Sequence, residues 1–189
     1  MPQGSTTHKT IDEKELLLQL RSPRTADRAF ENLVRLYQEP LYWHIRKMVK
    51  DHDEADDVLQ TTFIKAWKNI DKFRGESKLK TWLFRIATNE CLTFLNRQKR
   101  RSYTELADIQ DDLSHSTQSM DTLSGEDIQA KLRAAIDTLP QKQKLVFNMK
   151  YFEELKYQEI QAVLGGSVGS LKASFHHAVK KIEVFLKAH

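Results

Sequence analysis

With 189 residues, 40% of them hydrophobic and 30% charged, the chain has material for one or two small cores and too little for a large catalytic domain. The opening MPQGSTTHKT has no apolar signal core, and no later stretch approaches the ~18 consecutive apolar residues of a bilayer span, so a cytoplasmic protein is expected. The net charge of +4 hides a division: residues 1–101 carry 20 Lys/Arg against 14 Asp/Glu, residues 102–127 none against 7, and residues 128–189 carry 10 against 5.

A short helix, IDEKELLLQL, opens the chain before a turn at Ser22 and Pro23. Phe30, Leu33, Val34 and Tyr37, then Leu41, Ile45 and Met48, form the apolar stripe of a second helix, which Pro40 should break or kink. After DHDEADD, a run of acids suited to a positive helix end, Ala55, Val58, Leu59, Phe63, Ala66, Trp67 and Ile70 mark a third. Leu79, Leu83, Ile86, Ala87, Phe94 and Leu95 mark a fourth, which closes on the cations of NRQKRR. Cys91, the single cysteine, excludes an internal disulfide and reads as a small helix filler. No run alternates with period two. The expected class is therefore all-α, a helical bundle over residues 1–101.

Residues 102–127, SYTELADIQDDLSHSTQSMDTLSGED, are polar, acidic and poor in large apolar side chains, the composition of a flexible linker. As a free coil, 26 residues reach about 25–30 Å. Beyond it, residues 128–189 form a second helical module. Ile128, Leu132, Ala135, Ile136 and Leu139 lead to Pro140, and Leu145, Val146 and Met149 to Ile160, Val163 and Leu164. Gly165 ends a helix and Ser167 is a good N-cap for the next, with Leu171, Phe175, Val179 and Ile182 facing inward. This is a helix-turn-helix, whose second helix would present Ser167, Ser170, Lys172, Ser174, His176 and His177 to the major groove of duplex DNA. The hairpin alone leaves DNA binding at even odds. His176 and His177 are about 100° apart on the helix, a poor metal pair.

Three segments together, DEADDVLQTTFIKAWKNIDKF, LKTWLFRIATNECLTFLNRQKRR and LPQKQKLVFNMKYFEELKYQEIQAVLGGSVGSLKASFHHAVKKI, resemble the extracytoplasmic-function (ECF) sigma factors of the sigma-70 family. The resemblance covers nearly all of residues 25–187. It implies a non-enzymatic subunit, without metal or cofactor, that binds core RNA polymerase and recognises a two-part promoter. It also implies that residues 1–101 serve as region 2, residues 102–127 as a linker threading the RNA exit path, and residues 128–189 as region 4; by composition alone the linker would serve equally as a solubilising spacer.

By the same resemblance, Asp53, Asp57, Gln60 and Ile64 dock on the clamp helices of the largest polymerase subunit; these residues lie opposite the apolar stripe, and without the family match a merely solvated face would be the better reading. Phe73, Arg74, Lys78, Lys80, Trp82, Arg85, Asn89 and Arg97 would hold the melted −10 strand on aromatic and cationic groups, with Trp82 equally suited to a core position. Ser167, Ser170, Lys172, Ala173, Ser174, His176 and His177 would read the −35 duplex. Five positions depart from the family: Ala173 and Ser174 replace a frequent Ser and Arg, His177 replaces another basic residue, Gln161 replaces a small Ala where two helices approach, so that their crossing would differ, and Thr93 replaces a frequent Asp. An anti-sigma partner, which would hold the protein at the membrane where it is itself anchored there, is a further implication.

Overall fold

The computed structural model describes residues 13–105 and 125–188, with side chains described over 13–100 and 128–188. Eight α-helices and one 3₁₀ turn make up the secondary structure of these residues: α1 Glu13–Arg21, α2 Ala26–Arg46, α3 His52–Asn69, the 3₁₀ turn Ile70–Lys72, α4 Leu79–Glu105, α5 Gly125–Asp137, α6 Gln141–Tyr151, α7 Tyr157–Leu164 and α8 Val168–Ala188. The all-α expectation holds. Residues 102–105 continue α4 and residues 125–127 begin α5, so both ends of the expected linker are helical; the rest of it lies outside the described residues.

The first module packs α1–α4 around Leu33, Leu41, Ile45, Ala55, Leu83 and Phe84. Asp51 caps α3 by accepting the Glu54 N–H at 3.0 Å, and the Glu13 carboxylate of α1 accepts the Leu79 N–H at the start of α4. Both satisfy donors that a helix start leaves unpaired. Lys65 of α3 pairs with Glu90 of α4 at 2.6 Å. Pro40 does not break α2, which runs through it from Ala26 to Arg46. A proline at this position deprives the Leu36 carbonyl of its helical donor, and both Leu36 and Pro40 lie on the exposed side, where water can take that role.

The second module stacks α5, α6 and α8 around Ala135, Ile136, Leu139, Phe147, Ala178 and Ile182. Its other core residues, Val146, Met149, Leu155, Ile160, Val163 and Leu171, are continuous with the core of the first module. The sequence pointed to two modules joined by a tether; in the folded chain one apolar cluster spans both modules and a second lies within the second module, with α7 laid against α4.

Between α7 and α8 the chain turns at Gly165 (φ +74°, ψ −168°) and Gly166 (φ +81°). Ser167 Oγ accepts the Ser170 N–H at 3.1 Å, which makes it the N-cap of α8 as the sequence predicts. The Gly165 backbone occupies a region that only glycine enters readily, and a Cβ there would meet nothing within 4 Å. Gly165→Ala is therefore expected to cost about 1–3 kcal/mol through backbone strain alone, read by urea unfolding; an unchanged midpoint would show that the turn tolerates a side chain.

Candidate nucleic-acid interface

On α3, Asp53, Asp57, Gln60 and Ile64 recur at four- and three-residue steps and all are exposed. They form one continuous face. Ile64 is 48% exposed, and Trp67 continues the row at 39%. Beside them, Phe30 and Val34 of α2 complete an apolar groove of about 570 Å³ rimmed by Asp27 and Glu31. The Phe30 ring meets Trp67 edge-on at 4.8 Å, which holds the indole at the wall of the groove. Sequence periodicity assigned Phe30, Val34 and Trp67 to the buried stripe; the acids Asp27 and Glu31, one turn apart beside them, are the signal that this stretch of α2 faces water.

The expected −10 set does not form one surface. Phe73 is only 4% exposed, with its ring 5.1 Å from that of half-buried Trp82. Its carbonyl accepts a hydrogen bond from the Arg21 guanidinium. Phe73 is therefore a core residue that anchors the loop, and this corrects its reading as a stacking platform. Arg74, Arg85, Asn89 and Arg97 are exposed, and Arg85 and Asn89 share the solvent side of α4 with Trp82. Lys80 stands nine residues before Asn89, which turns it to the opposite side of the helix. There its ammonium lies 5.5 Å over the Phe84 ring and donates at 3.5 Å to the Glu153 carbonyl. Lys78 pairs with Glu159 of α7 at 3.0 Å. Thr93 bonds back to the Asn89 carbonyl at 2.8 Å, so the hydroxyl standing in for the frequent Asp is used within the helix.

On α8, Ser167, Lys172, Ala173, His176 and His177 are exposed. Ser170 and Ser174 are partly exposed and donate to the Ser167 and Ser170 carbonyls, both at 2.8 Å. Their hydroxyl protons are thus already directed at the backbone, which leaves oxygen lone pairs and small size as what they present to a partner. Lys172 and Lys150 approach the Tyr157 ring at 5.8 and 5.4 Å. The side-chain amide of Gln161 donates to the Gly166 carbonyl at 2.8 Å and fastens the turn.

The two modules meet at a buried ion cluster that the sequence did not reveal. The Glu153 side chain, 6% exposed, accepts from His44 Nδ1 at 2.9 Å and Lys47 Nζ at 3.5 Å on the same oxygen, Oε1. Burial alone would raise its carboxyl pKa, but His44 and Lys47 outweigh burial and hold it below the usual value of 4.5. Because the carboxyl is depressed, its contribution to the joined arrangement is present above about pH 4.5 and is lost as the pH falls through the lower value. His44 is 1% exposed and its Nε2 lies 2.9 Å from Thr88 Oγ1 of α4. Lys47 also sits 4.6 Å over the Phe152 ring, and burial lowers its amine pKa against the pull of Glu153. Among the described residues no group of three or more His, Cys, Asp and Glu could hold a metal ion, and no helix is long and apolar enough to cross a membrane.

The Sigma-70 region 2 family matches residues 33–101 and the Sigma-70 region 4 family residues 129–182, so one family's two parts account for both modules in order. The RNA polymerase sigma-H factor of Pseudomonas aeruginosa is 30% identical over 93% of this chain and 95% of its own. The ECF RNA polymerase sigma-E factor of Haemophilus influenzae is 33% identical over 82% and 86%. Among solved structures, CnrH in complex with the cytosolic domain of CnrY superposes with a TM-score of 0.69 at 26% identity, covering 93% of this chain and 97% of CnrH. A helix-turn-helix module joined to a helical bundle with an exposed acidic and apolar face is the build of a bacterial initiation factor. The chain belongs to the ECF-type sigma factors of the sigma-70 family, non-enzymatic subunits that direct transcription initiation by RNA polymerase.

Burial pushes the Cys91 thiol up to about 12, and its side chain is fully enclosed. A thiol so placed holds almost no thiolate at neutral pH. Ellman's reagent at pH 8 is expected to leave Cys91 untouched in the native chain and to react fully in urea; rapid native reaction would place the residue at the surface.

Proposed function

We propose that the face Asp53, Asp57, Gln60 and Ile64, together with the groove that Phe30, Val34 and Trp67 line, is the surface by which this sigma factor grips the clamp helices of the largest polymerase subunit. The supporting observation is that groove: an acidic rim around an apolar floor on two packed helices fits a partner helix that offers cations flanking an apolar stripe. Arg74, Arg85, Asn89 and Arg97, with half-buried Trp82, would track the melted −10 strand. Lys78, exposed while it pairs with Glu159, would extend the same cationic path, whereas Lys80 faces the second module from the other side of α4. The exposed start of α8 would enter the −35 major groove, with Ser170, Ala173 and Ser174 permitting close approach and Lys172, His176 and His177 meeting phosphates or base edges.

Residues 1–101 thus serve polymerase docking and the −10 strand, residues 128–189 the −35 duplex, and residues 102–127 the passage between. CnrH is seen in complex with the cytosolic domain of another protein, which supports an inhibitory partner of the anti-sigma kind here. A cytoplasmic location, at the membrane whenever that partner is anchored there, follows from such pairing.

Replacing Asp57 and Gln60 together with alanine should weaken binding to core polymerase at least about tenfold, about 1.4 kcal/mol, while the thermal midpoint stays put, because both side chains are exposed. Equal affinity of the double variant would remove the docking assignment. For duplex binding, Lys172→Ala should flatten the plot of log K against log salt by about 0.9, measured by fluorescence anisotropy on promoter fragments selected by run-off transcription. An unchanged slope would remove the phosphate contact.

A further inference from the structure

Gln161 stands in the last turn of α7 and holds both glycines of the turn that follows. Its backbone carbonyl accepts the Gly165 N–H at 2.8 Å, and its side-chain amide donates to the Gly166 carbonyl at 2.8 Å. The two glycines have φ of +74° and +81°, and glycine leaves a chain more backbone freedom than any other residue. Such a pair needs a tie if α8 is to leave the turn in one direction. Any residue at position 161 would supply the backbone bond. The second bond needs a side chain with a donor and the reach of glutamine, and the small Ala that is frequent at this position in the family supplies neither.

The tie continues into α8. A Cβ on Gly166 would lie 3.4 Å from Ser170 Oγ, so the bare Gly166 backbone packs against that hydroxyl. Ser170 Oγ donates to the Ser167 carbonyl at 2.8 Å, and the Ser170 N–H donates to Ser167 Oγ at 3.1 Å. Ser170 is thus held on one side by Ser167 and met on the other by Gly166, which Gln161 holds in turn. We infer that Gln161 is a positioning residue for DNA reading: through Gly166 it fixes the Ser170 oxygen at the start of α8 and so sharpens the choice among −35 sequences. This rests on the assignment of α8 to the −35 major groove. A recognition contact must be held to within about 0.5 Å, and a glycine pair without the amide bond has room for larger movements. Stability of the fold is not what the tie supplies. Gly166 is exposed, so water replaces the donor when it is lost, and the helical residues of α7 tolerate alanine well.

Gln161→Met keeps the length of the side chain and removes its donor, and Gln161→Ala removes both. Core polymerase carrying the full chain is titrated onto two labelled duplexes that end upstream of the −10 element, one selected by run-off transcription and one with its −35 element scrambled. With either variant the ratio of the two affinities should fall about fivefold, the weight of one hydrogen bond. The salt slope on the scrambled duplex should not move, because no charge has changed, and the thermal midpoint of the chain should stay put. In a Ser170→Ala background, Gln161→Met should alter the ratio by less than about twofold, since the residue it acts through is gone. A ratio that Ser170→Ala lowers and Gln161→Met does not overturns the tie and leaves the reading of DNA by α8 standing. A ratio that Ser170→Ala leaves unchanged overturns that reading at Ser170, and the inference with it. Equal losses from Gln161→Met in both backgrounds, or a loss that comes with a lowered midpoint, would make Gln161 a support of the whole module and overturn its action through Ser170.

Discussion

A carboxylate enclosed by protein must find hydrogen-bond partners and positive charge, and Glu153 finds His44 Nδ1 and the Lys47 ammonium in the other half of the chain. The pairing brings residues 109 positions apart to hydrogen-bond distance and decides where the second module sits. Once it is made, Val146, Met149 and Ile160 share a core with Leu79, Leu83 and Phe84. Without it, apolar faces on α4 and α7 would have to be covered otherwise. Removing one partner of a buried pair costs about 3–5 kcal/mol, because the remaining charge is left in a poor solvent.

Helix α4 carries both the contact between the modules and an exposed polar side. Its Phe84 and Thr88 pack against and hydrogen-bond to His44, its Lys80 reaches the Glu153 carbonyl, and its opposite side carries Arg85 and Asn89. A helix has room for this because side chains nine residues apart point in opposite directions. One side is given to the second module and the other to solvent. The groove proposed for polymerase lies on α2 and α3, away from both, so it and the solvent side of α4 are different surfaces of one bundle.

What the sequence made legible is what local chemistry decides. The turn after α7 could be read because only glycine suits Gly165 and because Ser167 followed by Ser170 is a cap in miniature. Helices α2 to α4 could be read from apolar spacing, and their faces with them: Asp53, Asp57, Gln60 and Ile64 are exposed together as the wheel requires. Other features depend on distant neighbours. Phe73 looked like a loop aromatic free to stack on a base, but Arg21 and Trp82 draw it into the core. Pro40 looked like a break, yet the helix continues where its lost hydrogen bond faces water. Gln161 looked like a misfit at a helix crossing and is a donor to the turn. His44 and Glu153 gave no sign at all, since neither has a telling neighbour in sequence and each acquires meaning only when the fold brings them together.

The groups that join the modules differ in how firmly each is committed. A carboxylate and a phosphate are both oxyanions, and an ammonium group accepts either with little geometric preference. Lys78 can change partners at small cost because it is exposed and its long side chain moves freely. His44 cannot, because it is enclosed and aimed at a single carboxylate oxygen. Specificity of the joined arrangement therefore resides in His44 and Glu153, and the lysines around them add an attraction that any oxyanion would share.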